Sequence, residues 1–151
     1  MMPLPESFSI SLDDFGKKLG MELYLEDGRC SFNIDGTIDV ELNYIYDAHV
    51  VIAWANVGYA PEDDFQEERA RALLALNELA APNGGFSISM DPETRMVIAH
   101  DHRPAELFDS ADRIAAWIDA LVDLVNHIRT DFEERFPSAD LPLELEDEEE
   151  A

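Results

Sequence analysis

The feature that most constrains the fold is a run of alternating apolar and polar residues over positions 22–59, interrupted by Asp-Gly at positions 27–28 and 35–36. A period of two is typical of strands with one buried face, and Asp-Gly favours tight hairpin turns. The predicted strands are ELYLED (22–27), RCSFNI (29–34), IDVELNY (38–44) and HVVIAWANVGY (49–59). The last is apolar on both faces, so we expect it to be covered on both sides. The pattern predicts an antiparallel meander.

A short amphipathic helix is predicted just before the meander, in SLDDFGKKLG (11–20). Ser11 and Asp14 have the spacing of a capping box, and Gly20 supplies a stop. Leu12, Phe15 and Leu19 would share one side of this helix. A helix this short is marginal alone in water, so its apolar side must rest on another surface.

The second half of the chain predicts a helix, a hairpin and a long helix. PEDDF opens a helix that runs from Phe65 to Leu79, with Ala70, Leu74 and Asn77 on a second flank that faces a further surface. FSISMDPETRMVIAH (86–100) reads as two strands joined at Asp91-Pro92, and the last helix begins at Asp109 or Ser110. The elements are therefore a helix, three or four strands, a helix, two strands and a helix. With three strands the order α-β-β-β-α-β-β-α predicts an α+β, two-layer sandwich with an antiparallel sheet. Residues 1–136 form the expected domain, and residues 137–151 an acidic, disordered tail.

Charge and composition exclude several classes of partner. The chain has 34 acidic and 10 basic residues, a net charge of −24, which argues against binding nucleic acid or an anionic membrane. The single cysteine, Cys30, cannot form an internal disulfide, and no signal peptide or long apolar stretch is visible. We expect a cytoplasmic protein in a reducing compartment.

Few residues suggest chemistry. His100 and His102, two apart on a predicted strand, could begin a metal site, but no third ligand is identifiable. Cys30 lies on an apolar face beside Phe32 and Ile34 and is expected to be a small buried hydrophobe. The acidic tail lacks the spacing of a calcium loop. The sequence therefore predicts no enzyme, no cofactor and no metal.

Three stretches in this order resemble the class I type III secretion chaperones of the Tir-chaperone family, which are small acidic homodimers. They are LDDFGKKLGMELYLEDGRCSFNID (12–35), LLALNELAAPNGGFSISMDPETRMVI (73–98) and the last helix. The resemblance covers about residues 7–133. This chain departs from the family pattern in its acidic tail and in AHDHRP (99–104).

The resemblance implies a homodimer that binds the N-terminal segment of a secreted effector and keeps it soluble, partly unfolded and export-competent. It also suggests the secretion ATPase as a further partner. The effector-binding residues it implies are Leu12, Phe15, Leu19, Leu23, Leu25, Phe32 and Ile34. The implied dimer interface comprises Ala70, Leu74, Asn77, Phe86 and Ile88.

Three other hypotheses stay open at this point. The first is a regulator with the same architecture that acts outside secretion. The second is an acidic mimic that occupies a nucleic-acid-binding surface, and the third is a metal-dependent enzyme using His100 and His102.

Overall fold

The computed structural model describes residues 6–78 and 84–137. The elements in chain order are helix α1 (Glu6–Leu19), strands β1 (Arg29–Ile34), β2 (Ile38–Ile45) and β3 (Val50–Tyr59), helix α2 (Gln66–Leu76), strands β4 (Ser87–Met90) and β5 (Met96–Pro104), a 3₁₀ turn (Ala105–Leu107) and helix α3 (Ala111–Arg135). This confirms the predicted order. Leu79 and all of the predicted tail beyond Pro137 lie outside the described residues, so the domain boundary stays a prediction.

The five strands form one antiparallel sheet in the order β1-β2-β3-β5-β4. The turn between β1 and β2 has positive φ at both Asp35 (55°) and Gly36 (74°). Such a turn matches the twist of the strands, and Asp-Gly adopts it at low cost. The predicted hairpin is therefore confirmed.

One predicted strand is absent. ELYLED (22–27) forms only an isolated bridge between Glu26 and Arg29, and residues 22–25 have no strand assignment. Leu23 is nevertheless buried, against Gly16 of α1. The alternation of residues 22–27 thus reflects packing under α1. Because this segment forms no strand, β1 is an edge strand of the sheet.

Helices α1 and α3 cover one face of the sheet, and they contact each other there. Helix α1 begins at Glu6, earlier than the predicted start at Ser11, which is mid-helix and buried. The reason is Phe8, which extends the stripe of Leu12 and Phe15 and packs against Tyr44 and Phe108. At the start of α3, the Ser110 side chain accepts a hydrogen bond from the Arg113 amide, as predicted for a cap.

Arg129 of α3 fixes an irregular end of the sheet. Its guanidinium donates to the carbonyls of Val57 (2.7 Å), Thr37 (2.9 Å) and Asn56 (3.1 Å), where β3 bulges between Asn56 and Gly58. Val57 lies in the bulge and Thr37 in the turn between β1 and β2, and the planar fork of arginine binds the carbonyls at both places.

We expect Arg129→Met to lower the free energy of unfolding by about 2 kcal/mol, because three charge-assisted hydrogen bonds are lost at a partly solvated site. Urea denaturation followed by circular dichroism measures this. Arg113→Met is the control: its ion pair with Asp109 is exposed, so the change should stay below about 0.5 kcal/mol. Equal effects of the two variants would contradict the prediction.

Candidate protein-binding site

The outer edge of β1 has free backbone groups. The Tyr44 amide donates to the Gly28 carbonyl at 2.7 Å, so Gly28 and Tyr44 form a hydrogen-bonded pair. Along an antiparallel ladder, hydrogen-bonded pairs alternate with pairs that are not hydrogen-bonded. Cys30 and Phe32 therefore turn their backbone groups toward β2, whereas Ser31 and Asn33 turn theirs away from the sheet. In the described ranges, no backbone group pairs with those of Ser31 and Asn33 on the outer side. This edge can accept another strand.

An exposed aromatic side chain lies beside this edge. The Tyr24 amide donates a hydrogen bond to the Cys30 thiol, which puts Tyr24 alongside β1, and its side chain is 61% exposed. Leu19, at the end of α1, is 39% exposed, and Leu25 is half-buried. Burial raises the pKa of the Cys30 thiol, and the Tyr24 amide acts in the opposite direction. Cys30 is thus a neutral, buried group, as predicted.

The residues predicted to bind the effector divide into two groups. Leu12, Phe15, Leu23 and Phe32 are buried in the core, where the rings of Phe15 and Phe32 lie 6.0 Å apart. Leu19 is exposed, and Leu25 and Ile34 are half-buried. The structure joins Phe15 of α1 to Phe32 of β1 and packs Leu23 against Gly16 of α1, and it leaves only the second group accessible to a partner.

The residues predicted for the dimer interface also divide. Phe86 and Ile88 are 0% and 5% exposed and belong to the core of the chain itself. Leu74 is 70% exposed, and Ala70 is half-buried. Of the five, Leu74 alone presents a largely exposed apolar side chain.

Asn77, the fifth of these residues, covers the opposite edge of the sheet. Its side-chain amide donates to the Ile88 carbonyl (2.8 Å), and its carbonyl accepts from the Ile88 amide (2.7 Å). The Asn77 side chain thus takes the place of a neighbouring strand at the centre of β4. Edge strands are commonly protected in such ways. The two edges therefore differ, since β4 is partly closed and β1 is open.

The face of the sheet turned away from the helices has a half without carboxylates. We call it the acid-free face; it includes Ile52, Trp54 and Asn56 of β3, Ile98, His100 and His102 of β5, and Ser87 and Ser89 of β4. A shallow depression of about 300 Å³ lies among them. Trp54 pairs with His100 across the strands, and Ile52 with His102. The prediction that β3 is covered on both sides is wrong within this chain, because Ile52 and Trp54 are only half-buried.

All ten basic side chains are described, and none is left over to neutralise the acidic surplus. Nine form ion pairs with carboxylates of the same chain, and Arg129 binds backbone carbonyls. The surface therefore carries a large excess of unpaired carboxylates, which attracts basic segments.

The structure gives no support for metal chemistry at the two histidines. Across residues 6–78 and 84–137, no group of three or more His, Cys, Asp or Glu side chains is arranged to hold a metal ion. Among the helices in these ranges, none has the length and apolarity needed to cross a bilayer.

Chains of three solved protein complexes share this fold. A chain of the ExsC-ExsE complex has a TM-score of 0.71 at 19% identity, covering 92% of this chain and 100% of that one. A chain of the HopA1-SchA chaperone-effector complex has a TM-score of 0.69 at 22% identity, covering 86% and 99%. A chain of the ExoU-SpcU complex from the type III secretion system of Pseudomonas aeruginosa has a TM-score of 0.63 at 12% identity, covering 79% and 95%.

This architecture is that of a small chaperone subunit, with the predicted helices and antiparallel sheet. The chain belongs to the Tir chaperone protein (CesT) family, which it matches over residues 11–129. The predicted family and fold class are thereby confirmed. A comparison with curated protein sequences gives no match.

Proposed function

We propose that this protein is a secretion chaperone that acts in the bacterial cytoplasm. It binds the N-terminal chaperone-binding segment of a cognate type III effector and keeps that protein soluble, partly unfolded and competent for export. Membership of the chaperone family supports this role, and the HopA1-SchA chaperone-effector complex shares the fold. The observation that carries the proposed binding mode is the free outer edge of β1.

The effector segment adds as a strand along this edge. Its backbone pairs with the outward N–H and C=O groups of Ser31 and Asn33, and its alternate side chains contact Tyr24, Leu19 and Leu25. Strand addition supplies affinity through the main chain and selectivity through alternate side chains. Because an unfolded segment loses conformational entropy on binding, it needs a long contact, and the rest of the segment continues over the α1–β1 side.

The effector contacts predicted from the family resemblance fit this binding mode in part. Leu19 is exposed and Leu25 and Ile34 are half-buried, so all three can contact a partner. Leu12, Phe15, Leu23 and Phe32 are core residues in the free chain, and a contact between them and the effector stays a prediction. The acidic surface adds a favourable long-range field for a basic segment and keeps the loaded complex soluble.

The protein acts as a homodimer in this proposal. Leu74 supports it, because a large aliphatic side chain that is 70% exposed on a helix gains free energy when a partner covers it. A contact with the secretion ATPase stays a prediction.

Ser31→Pro tests the binding mode. The cognate effector is first identified by co-purification with the tagged full-length chain and mass spectrometry, and its labelled N-terminal segment is then titrated by fluorescence anisotropy. Proline removes the outward N–H of residue 31 and is tolerated on the solvent side of an edge strand. We expect the affinity to fall at least about 10-fold, equivalent to the loss of one backbone hydrogen bond plus steric hindrance by the ring.

Ser31→Ala is the matched control, because it removes the side chain and keeps the N–H. Its affinity should stay within about threefold of the wild type, since the Ser31 hydroxyl makes only an exposed bond to Glu41. If Ser31→Pro binds the segment as tightly as Ser31→Ala does, the effector does not pair with β1.

A further inference from the structure

We propose that the acidic tail of this chain (137–151) lies along the free outer edge of β1 when no effector is bound, with Leu143 and Leu145 turned toward α1. The inference rests on the effector site proposed above, and it adds an autoinhibitory contact at that site. The tail is an internal competitor, and the effector segment displaces it on binding.

The tail contains the alternation that is typical of a strand. In LPLELE (141–146), leucine occupies every second position, and the positions between are proline or glutamate. A period of two with one apolar side fits a strand that buries one face. Pro142 is compatible with the first position of such a strand, so the pairing begins at Leu143. A segment that served only to carry charge would not require this pattern.

The two sides of β1 match the two sides of this segment. On the α1 side, Ile34 is half-buried and Phe32 packs against Phe15, so a leucine of the tail covers Ile34. On the opposite side, the exposed part of β1 presents Ser31 and Asn33 and no carboxylate. The glutamates of the tail lie on that side, and the backbone of the same residues pairs with the outward groups of Ser31 and Asn33.

The charge of β1 also favours this occupant. Among the five described strands, β1 alone has a net positive charge with histidine neutral, because Arg29 is its only charged residue. Arg29 is loosely held, since its Nε lies 3.7 Å from Glu41 and its side chain is 67% exposed. A tail glutamate beside Arg29 gains a cross-strand pair. The remaining surface repels the tail, so a basic effector segment displaces it readily.

The tail begins close enough to reach this edge. Arg129 of α3 donates to the Thr37 carbonyl at 2.9 Å, in the turn that follows β1. The end of α3 carries the chain about 12 Å from Arg129 to Pro137. The eight residues 138–145 span up to about 27 Å when extended. The tail therefore enters at the Ile34 end of β1 and runs antiparallel to it.

The size of the effect follows from competition for one edge. Because the tail is tethered, its effective concentration at the edge is about millimolar, and a weak contact is populated. If the tail covers the edge in about four fifths of the molecules, the dissociation constant of the effector segment rises about fivefold. Exchange of the Ser31 and Asn33 amide protons with solvent slows by about the same factor. About 0.5 M NaCl should increase the coverage, since it screens the repulsion between the tail and the acidic surface.

Amide exchange of the full-length chain, measured by NMR without effector in this salt, tests the contact. Leu143→Ser combined with Leu145→Ser keeps every charge of the tail and removes its apolar side. We expect exchange at Ser31 and Asn33 to become about fivefold faster in this variant. Leu143→Ile combined with Leu145→Ile is the matched control and should keep the wild-type exchange rates, because isoleucine is apolar and favours strands. The rates should not change between about 20 and about 200 μM protein, since the contact is intramolecular.

The anisotropy titration of the effector segment separates this inference from the proposal on which it rests. The serine variant should bind the segment about fivefold more tightly than the isoleucine variant. Equal exchange at Ser31 and Asn33 in the two variants overturns the inference and leaves the effector site standing, and so does protection that rises with protein concentration, because the tail then comes from another copy. Faster exchange in the serine variant without any gain in effector affinity supports the tail contact and shows that the effector binds elsewhere.

Discussion

Replacing Phe86 by alanine is expected to lower the free energy of unfolding by about 3–5 kcal/mol. The side chain is 0% exposed and stacks against Trp117 with ring centroids 6.0 Å apart, while Trp117 stacks on Phe108 at 4.6 Å. Removing the ring loses its burial and leaves a cavity, because the neighbouring rings cannot close over the site. Urea denaturation measures the loss at a protein concentration low enough to keep the chain monomeric.

Leu74→Ala is the control, and it separates a core role from an interface role. Because Leu74 is 70% exposed in the single chain, the monomer should lose less than about 0.5 kcal/mol. The dimer should weaken instead. If Phe86→Ala leaves the monomer as stable as Leu74→Ala does, Phe86 is not the core residue that the structure describes.

Phe86 also illustrates what the sequence can and cannot tell about a strand. Alternation at Phe86, Ile88 and Met90 correctly predicts that these residues share one side of β4. It does not tell whether that side faces the helices of the same chain or another molecule. The family resemblance placed Phe86 and Ile88 at an interface, but the structure turns them toward α3. Which layer covers a face depends on the tertiary arrangement, and a period of two carries no information about it.

The errors at the N-terminal end have related physical causes. The segment 22–27 has strand alternation and an Asp-Gly turn, yet its apolar side chains pack beneath α1 and no ladder forms. Burial of one side of a segment and pairing of that segment in a sheet both favour alternating apolar and polar residues, so this pattern cannot distinguish the two. The predicted start of α1 followed the capping-box spacing at Ser11 and left Phe8 outside the helix. Phe8, Leu12 and Phe15 nevertheless have the i, i+4, i+7 spacing of one helical stripe.

The candidate binding site could be predicted only in outline. The family resemblance implied a site at the α1–β1 side with Leu19 and Leu25 among its residues, and that assignment stays a prediction. The free backbone groups of Ser31 and Asn33 were not predictable, because they exist only where the expected neighbouring strand fails to pair. The sequence showed that β3 is apolar on both faces, but the extent of the acid-free face depends on the non-sequential pairing of β3 with β5.

Arg69 is a structural residue that the sequence analysis missed, although a signal was present. It lies four residues from both Phe65 and Leu73, on the apolar side of α2, and it is 4% exposed. Its guanidinium donates to both carboxylate oxygens of Asp63 (3.0 and 3.2 Å) and to the carbonyls of Pro61 (3.1 Å) and Phe136 (3.3 Å). It therefore joins the start of α2 to the end of α3, and an arginine within an apolar stripe indicates such a buried partner set.

We expect Arg69→Met to lower the free energy of unfolding by about 3 kcal/mol. Methionine has a similar length, but it removes the donor of the buried Phe136 carbonyl and of the partly buried Pro61 carbonyl, and it removes the partner of Asp63. Arg69→Lys should recover little of this loss, because an ammonium group cannot reproduce the two parallel bonds of the guanidinium to the carboxylate. Arg71→Met, two residues along the same helix, removes an exposed pair with Glu67 and should cost less than about 0.5 kcal/mol.

The loss in Arg69→Met should depend on pH with a definite sign. The hydrogen bonds from the Arg69 guanidinium lower the pKa of Asp63 in the folded state; burial opposes this effect, and the Phe65 amide adds to it. A carboxyl with a lowered folded pKa stabilises the protein above its unfolded pKa of about 3.9, and this stabilisation is lost as the pH falls through the folded value. The variant lacks most of that contribution, so the difference in unfolding free energy between wild type and Arg69→Met should be constant from about pH 5 to 7 and should narrow below about pH 4. Urea titrations at a series of pH values measure it, and a difference that widens toward low pH would show that Asp63 is not stabilised through Arg69.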